Sequence, residues 1–118
     1  MGIRNAYIKN VSISMANHGC LTFGIGIDTD HFYTVVGGYR IGLGYLGAKE
    51  FDGISKYGLE AIMRIMDTVG VEKWEDLKGK YCRIVDDGRG SKVTKIGHVI
   101  KDKWFDIDKF FKEKQDEI

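Results

Sequence analysis

Apolar residues alternate with polar ones over the first third of the chain and then switch to helical spacing, and this change of period sets the order of elements. From Ala6 to Ser14 the alternation is loose around Tyr7, Ile8, Val11 and Ile13, and β-branched residues at period two predict a first strand. Met15-Ala16-Asn17-His18-Gly19 reads as a turn, because Asn and Gly tolerate left-handed backbone. Cys20–Ile27 follows, with Leu21, Phe23, Ile25 and Ile27 on one face and Cys20, Thr22, Gly24 and Gly26 on the other. One side of this second strand is nearly bare. Asp28-Thr29-Asp30 is a turn, and His31–Val36 gives a third strand of β formers, completing an antiparallel meander.

After Phe51-Asp52-Gly53 the apolar positions become Tyr57, Ala61, Ile62, Ile65, Met66 and Val69, with Lys56, Glu60, Arg64 and Asp67 opposite. This is one face of a helix that lies across the sheet. Ser55 is placed to cap its start, Glu60 and Arg64 form an i,i+4 pair, and Gly70 suits the left-handed residue that ends it. Val71–Lys78 predicts a short helical turn carrying Trp74 and Leu77. Lys80–Asp86 and Lys92–Ile100 predict two strands joined by the glycine-rich tip Asp86-Asp87-Gly88-Arg89-Gly90-Ser91. Trp104 and Phe105 precede Asp106, a candidate cap, and Ile107, Phe110, Phe111 and Ile118 recur at helical spacing. The expected fold is a single α+β domain over 1–118. It has an antiparallel sheet of about five strands, a meander plus a C-terminal hairpin, packed by one central helix and carrying a short C-terminal helix.

The run Gly37-Gly38-Tyr39-Arg40-Ile41-Gly42-Leu43-Gly44-Tyr45-Leu46-Gly47 fits neither a helix nor a linker. Glycine repeated in an extended segment implies bulges, tight bends or close approach of another surface. Gly42-Leu43-Gly44-Tyr45-Leu46-Gly47 satisfies G-x-G-x-x-G in form only, because no parallel βαβ unit surrounds it, and no P-loop is present. Gly38, Tyr39, Arg40, Gly42, Gly44 and Tyr45 are therefore candidates for a surface of backbone amides and tyrosines that takes a partner or a small anion. The alternative is that Tyr39 and Tyr45 pack in the core.

Net charge is +1, but the charges are segregated. Segment 41–77 holds four Lys/Arg against seven Asp/Glu, whereas 78–103 holds eight, Lys78, Lys80, Arg83, Arg89, Lys92, Lys95, Lys101 and Lys103, against Asp86, Asp87 and Asp102. The predicted hairpin, with Lys80, Arg83, Arg89, Lys92 and Lys95, is thus either a patch for phosphate or an acidic partner, or the solvent face of two strands that blunts an exposed edge. Tyr81, Trp104 and Phe105 beside these lysines raise single-stranded nucleic acid as a ligand, although a pI of about 7.7 ranks it below a protein partner.

Cys20 and Cys82 are expected as free thiols in a reducing compartment. His18, Cys20, His31, Cys82 and His98 lack the paired spacings of a metal site. Asp28 with Asp30 and Asp86 with Asp87 sit where Asp is ordinary turn chemistry. No metal, cofactor or catalytic residue is expected. No apolar run approaches the ~18 residues that span a bilayer, so no membrane role is expected either.

Val11-Ser12-Ile13-Ser14-Met15-Ala16-Asn17-His18-Gly19-Cys20-Leu21-Thr22-Phe23, the Gly37–Ala48 run, Ile62-Met63-Arg64-Ile65-Met66-Asp67-Thr68-Val69-Gly70-Val71 and Trp74-Glu75-Asp76-Leu77-Lys78-Gly79-Lys80-Tyr81 together resemble a family of small phage and prophage proteins of Gram-positive, gut-type bacteria. The resemblance covers most of the chain and carries over no catalytic residue. It departs around Asp28–Tyr33, where the family pattern has a Gly/Trp-rich turn. It implies a phage accessory protein in the cytoplasm of a bacterial host, acting stoichiometrically as an anti-CRISPR or other anti-defence inhibitor that occludes a host defence nuclease, possible CRISPR effectors included. The charge balance excludes an acidic DNA mimic. The alternatives are an oligomeric binder that sequesters an anionic nucleotide signal with the amides of Gly37–Gly47 and Arg40, and a nucleic-acid-associated phage protein.

Overall fold

The computed structural model describes residues 2–17, 20–41, 57–86 and 92–116. Six strands form one antiparallel sheet: β1 (Gly2–Asn17), β2 (Cys20–Asp28), β3 (Tyr33–Arg40), β4 (Tyr81–Asp86), β5 (Lys95–Gly97) and β6 (Trp104–Asp106), in the order β3-β2-β1-β4-β5-β6. Two local meanders, β1–β3 and β4–β6, thus meet where β1 pairs β4. Helices α1 (Gly58–Val69) and α2 (Ile107–Asp116) and a 3-10 turn at Trp74–Leu77 contribute to one face of the sheet. The fold is the α+β class expected, with six strands in place of about five.

Burial follows side-chain parity. Ala6 and Ile8 of β1, Phe23, Ile25 and Ile27 of β2, Val36 of β3, Cys82 and Ile84 of β4, Ile96 of β5 and Phe105 of β6 face inward, against Ala61, Ile62, Ile65 and Val69 of α1 and Ile107 and Phe111 of α2. Each fully buried Ile or Leu contributes about 1.5–3 kcal/mol relative to an exposed one. The apolar stripe of α1 and the Glu60–Arg64 pair, at 2.7 Å, are as the sequence implies. Gly70 closes the helix in the left-handed region at φ 97°, its N–H donating to the Met66 carbonyl at 2.8 Å. Tyr57 occupies the N-cap position without a side-chain cap bond, and Ser55, the expected cap, lies outside the described residues. Asp106 does cap α2, its Oδ1 accepting the Lys109 N–H at 3.0 Å.

Several boundaries differ from expectation. The first strand extends over Gly2–Asn17 rather than 6–14, because β4 supports its N-terminal half. The third is Tyr33–Arg40 rather than 31–36, and His31 belongs to a turn in which Thr29 Oγ1 accepts the His31 and Phe32 N–H groups. The expected strand at 92–100 shrinks to Lys95–Gly97, and Trp104-Phe105-Asp106 forms a sixth strand against it.

The ladders shift register at three places, one of them between Ser14 and Asn17 of β1, and the other two set which core side chains face inward. Ile8 pairs with Ile27 but Asn10 pairs with Gly26, so Lys9 is an extra residue that moves the inward set from even to odd numbers. In β3, Gly37 pairs with Gly24 while Arg40 pairs with Thr22, which again leaves one extra residue. Gly37 adopts φ 142° and a Cβ there would collide with the Phe23 carbonyl. The close approach implied by the glycine run is therefore internal at this position.

Gly37→Ala is expected to destabilise the fold by about 2 kcal/mol or more in urea unfolding, whereas Gly2→Ala, with open space around it, leaves the midpoint unchanged. Burial pushes the Cys82 thiol from 9.0 up to about 12, while Cys20 is half-buried. One thiol per chain should react with a disulfide reagent at neutral pH in the native protein, and two after unfolding. Because the folded state favours the protonated thiol, the Cys82 contribution to stability is complete below pH 9 and is lost as pH rises toward 12.

Candidate functional site

With the helices on one face, the other face of the sheet is left to the outward residues of each strand. Tyr33, Asp28, Tyr7 and Tyr81 stand opposite one another on β3, β2, β1 and β4 and form a row across it. Tyr7 and Tyr81 are in ring contact, 5.2 Å between centroids. Ile3, Tyr33, Val35 and Tyr81 are each half or more exposed, at 60%, 50%, 56% and 61%. Exposed apolar side chains from three strands of one sheet face make it a candidate interaction surface.

The bare side of β2 explains how the tyrosines are held. A Cβ on Gly26 would overlap both the Tyr33 hydroxyl and Asn10 Oδ1, so the glycine lets Tyr33 lean across β2 to β1. There Asn10 Nδ2 donates to its hydroxyl at 3.4 Å. Gly24 similarly makes room for Ser12 and Val35. Asn5, Ser12 and Ser14 are further exposed polar positions of β1, Lys9 is exposed at its bulge, and Ile3, Asn5, Thr29 and Asp30 rim a shallow recess of about 210 Å³.

At the β6 side the face is closed by a bracket. The Arg83 guanidinium lies 5.1 Å over the Trp104 ring and donates to the carbonyls of His98 and Lys101, both at 2.7 Å. His98 Nδ1 accepts the N–H groups of Ile100 and Lys101 at 3.0 Å. Arg83 therefore pins the 98–103 turn.

The basic hairpin residues are spread over different surroundings. Lys80 and Lys95 are exposed, Arg83 is held by Trp104 and the turn carbonyls, and Lys92 places its Nζ 4.6 Å from the centroid of the Tyr39 ring. Arg89 lies outside the described residues. In the glycine-tyrosine segment, Gly38 is exposed at φ 88° with open space around it. The backbone of Arg40 pairs opposite Thr22, and Gly42, Gly44 and Tyr45 lie outside the described residues. Tyr39 is turned inward by the β3 bulge, stacking on Phe111 at 4.8 Å and near Phe23 at 6.1 Å. The structure thus joins one residue from each candidate cluster, Tyr39 and Lys92, on the helix side of the sheet.

Tyr39 donates its hydroxyl to Asp108 Oδ1 at 3.0 Å, and Lys112 lies 2.8 Å from the other carboxylate oxygen. Burial, then the bond to Asp108, pushes the tyrosine well above its ordinary value. The Lys112 bond holds the Asp108 carboxyl below its usual range, against some burial, with the Tyr39 bond adding to it. These groups lock α2 to β3. A cleft of about 310 Å³ beside α2 is lined by cations already engaged: Arg64 with Glu60, Lys109 with Glu113, and Lys114 over Phe110. Among the described residues no three His, Cys, Asp or Glu side chains gather as metal ligands, and no helix is long and apolar enough to cross a membrane.

Ile3, Tyr7, Tyr33 and Val35 were not singled out as site residues by sequence reasoning. The available signal was the bare side of β2: large outward residues of the strands flanking Gly24 and Gly26 must share that face. Comparison of the chain with protein-family models, curated proteins and solved structures returned no match.

Tyr39→Phe removes the hydroxyl bond and is expected to cost about 1 kcal/mol at neutral pH. A carboxyl depressed in the folded state stabilises above its unfolded value and loses that contribution as pH falls through the folded one. The difference between Tyr39→Phe and the parent protein should therefore narrow in acid unfolding.

Proposed function

We propose that the protein works by stoichiometric binding of another protein through the outer sheet face, in the setting that its sequence resemblance implies: a phage accessory protein that blocks a host defence nuclease. The observation that carries this reading is the row Tyr33, Tyr7 and Tyr81 with Ile3 and Val35 exposed beside it. Its neighbours are Asn5, Asn10, Ser12, Ser14, Gly24 and Gly26. Tyrosine supplies a large amphipathic contact with few rotamers to freeze, and Ser, Asn and Gly supply adaptable hydrogen bonding, the composition of paratopes rather than of catalytic clefts.

Charge favours a protein over nucleic acid as the ligand. Asp28 lies in the middle of the tyrosine row, where a phosphate backbone would meet repulsion. Arg83 spends its donors on turn carbonyls. Aromatic enrichment is the mark of a protein interface centre. Because the side chains stand on paired strands, the face is organised before the partner arrives and little ordering entropy is lost on contact.

Tagged protein recovered from the infected host should carry a defence subunit at near-equal stoichiometry and relieve restriction of the phage. Tyr81→Ser should keep the parent melting temperature and lose partner affinity by at least about tenfold. Undiminished capture and inhibition by Tyr81→Ser and Tyr7→Ser variants would overturn the reading, as would recovery of a bound nucleotide alone or a salt-steep gel shift with single-stranded DNA.

A further inference from the structure

Asp28 differs from the other half-buried carboxylates. Among the described residues these are Asp28, Glu60, Asp86, Asp106 and Asp108. Glu60 binds Arg64, Asp86 binds Arg4, Asp106 accepts the Lys109 N–H, and Asp108 takes both Tyr39 and Lys112. Asp28 makes no hydrogen bond or ion pair with the described residues, although Lys9 stands exposed at the bulge of the neighbouring strand. The turn that follows does not use its carboxylate either, because Thr29 Oγ1 takes the His31 and Phe32 N–H groups. A carboxylate stripped of part of its water with no partner is a cost to folding that Asn or Thr at this position would avoid.

Its surroundings suit a flat cation. Asp28 stands directly opposite Tyr7 on one side and Tyr33 on the other, and such cross-strand neighbours hold their Cβ atoms about 4.5–5.5 Å apart. Both rings lean the same way across the sheet. Tyr33 reaches over Gly26 to Asn10, and Tyr7 reaches toward β4, in contact with Tyr81 and with its hydroxyl beside Gly79. The carboxylate therefore lies in the gap between two tilted aromatic rings, and both rings are open to solvent, at 37% for Tyr7 and 50% for Tyr33. The same face already holds an arginine in a related setting. Trp104 leans over Gly97, where a Cβ would overlap its ring, and the Arg83 guanidinium lies 5.1 Å over that ring while donating to two carbonyl oxygens at 2.7 Å. A guanidinium stacks on aromatic faces and forks a carboxylate at once, whereas the strongly hydrated ammonium of lysine does neither as well.

We infer that Asp28, between Tyr7 and Tyr33, is the receptor for an arginine side chain of the partner protein, the guanidinium bonded to the carboxylate and stacked against the tyrosine rings. This rests on the reading of the outer sheet face as a protein-binding surface and names the chemistry at its centre. Charge complementarity decides the occupant: the one carboxylate in the tyrosine row has no cation of its own, and an arginine brought by the partner supplies it. Arginine clasped by tyrosine at the middle of an interface is the kind of contact that carries most of the binding energy.

The test is a two-dimensional amide NMR titration of the full chain with acetyl-glycyl-arginyl-glycinamide and its lysyl and citrullyl analogues. The arginyl peptide should give saturable shifts centred on Tyr7, Asp28 and Tyr33 with a midpoint on the order of 10 mM. The lysyl peptide should bind at least about threefold more weakly, and the uncharged citrullyl peptide should give no saturable shift. Asp28→Asn should abolish the response while keeping or raising the parent melting temperature, because it removes a charge that has no partner in the fold. The same variant should weaken binding of a captured defence subunit by at least about tenfold. No saturable shift with the arginyl peptide, equal binding of either analogue, a response that persists in Asp28→Asn, or a lowered melting temperature for that variant overturns the inference. The titration needs no partner, so its failure leaves a subunit captured through Tyr81 standing, and its success does not depend on any subunit being captured.

Discussion

The extra residue in β1 is the constraint on which the other features rest. A sixteen-residue strand in strict alternation would carry Ala6 and Ile8 inward and then turn Val11 and Ile13 to the opposite face. The bulge at Lys9 restores them to the inner side, so the strand keeps one apolar side from Ala6 to Ile13. Its first half can then seal against β4 while its second half runs on with β2. The same device at Gly37 and Gly38 decides the fate of Tyr39.

Legibility in the sequence follows from how many residues share a period. The β2 strand and α1 are long and regular enough that their buried faces were readable position by position, and the Asp106 cap and Gly70 terminator follow from local chemistry. The loose alternation around Tyr7, Ile8, Val11 and Ile13 recorded the bulge without locating it, because a one-residue insertion looks like noise until the partner strand is known. Strands of three residues such as β5 and β6 contain too little pattern to announce themselves and depend on tertiary pairing. The glycine run announced close approach but not its source, which at Gly37 is the Phe23 carbonyl of the neighbouring strand.

Tyrosine takes two roles here, divided by sheet parity. Tyr39 points to the helices, where stacking and a carboxylate satisfy both ends of the side chain. Tyr7, Tyr33 and Tyr81 point away from them. Composition cannot separate these cases, since identical residues in adjacent strands differ only in which face the local register assigns them. The candidate surface is accordingly a property of pairing: the β1–β3 meander brings Tyr33 to the side of Tyr7, and Tyr81 joins them only when β4 returns to β1.

That return also shapes how the chain folds. Each meander is local, and its strands can pair after closing short loops. The seam between β1 and β4 joins segments such as Arg4 and Asp86, 82 residues apart and clamped by a 2.6 Å ion pair, and nearly all the intervening chain must be ordered or looped out before it forms. Contacts of such separation collect their free energy late. This seam therefore carries a large loop-closure cost, and the tyrosine row, which crosses it between Tyr7 and Tyr81, is complete only once the seam has closed.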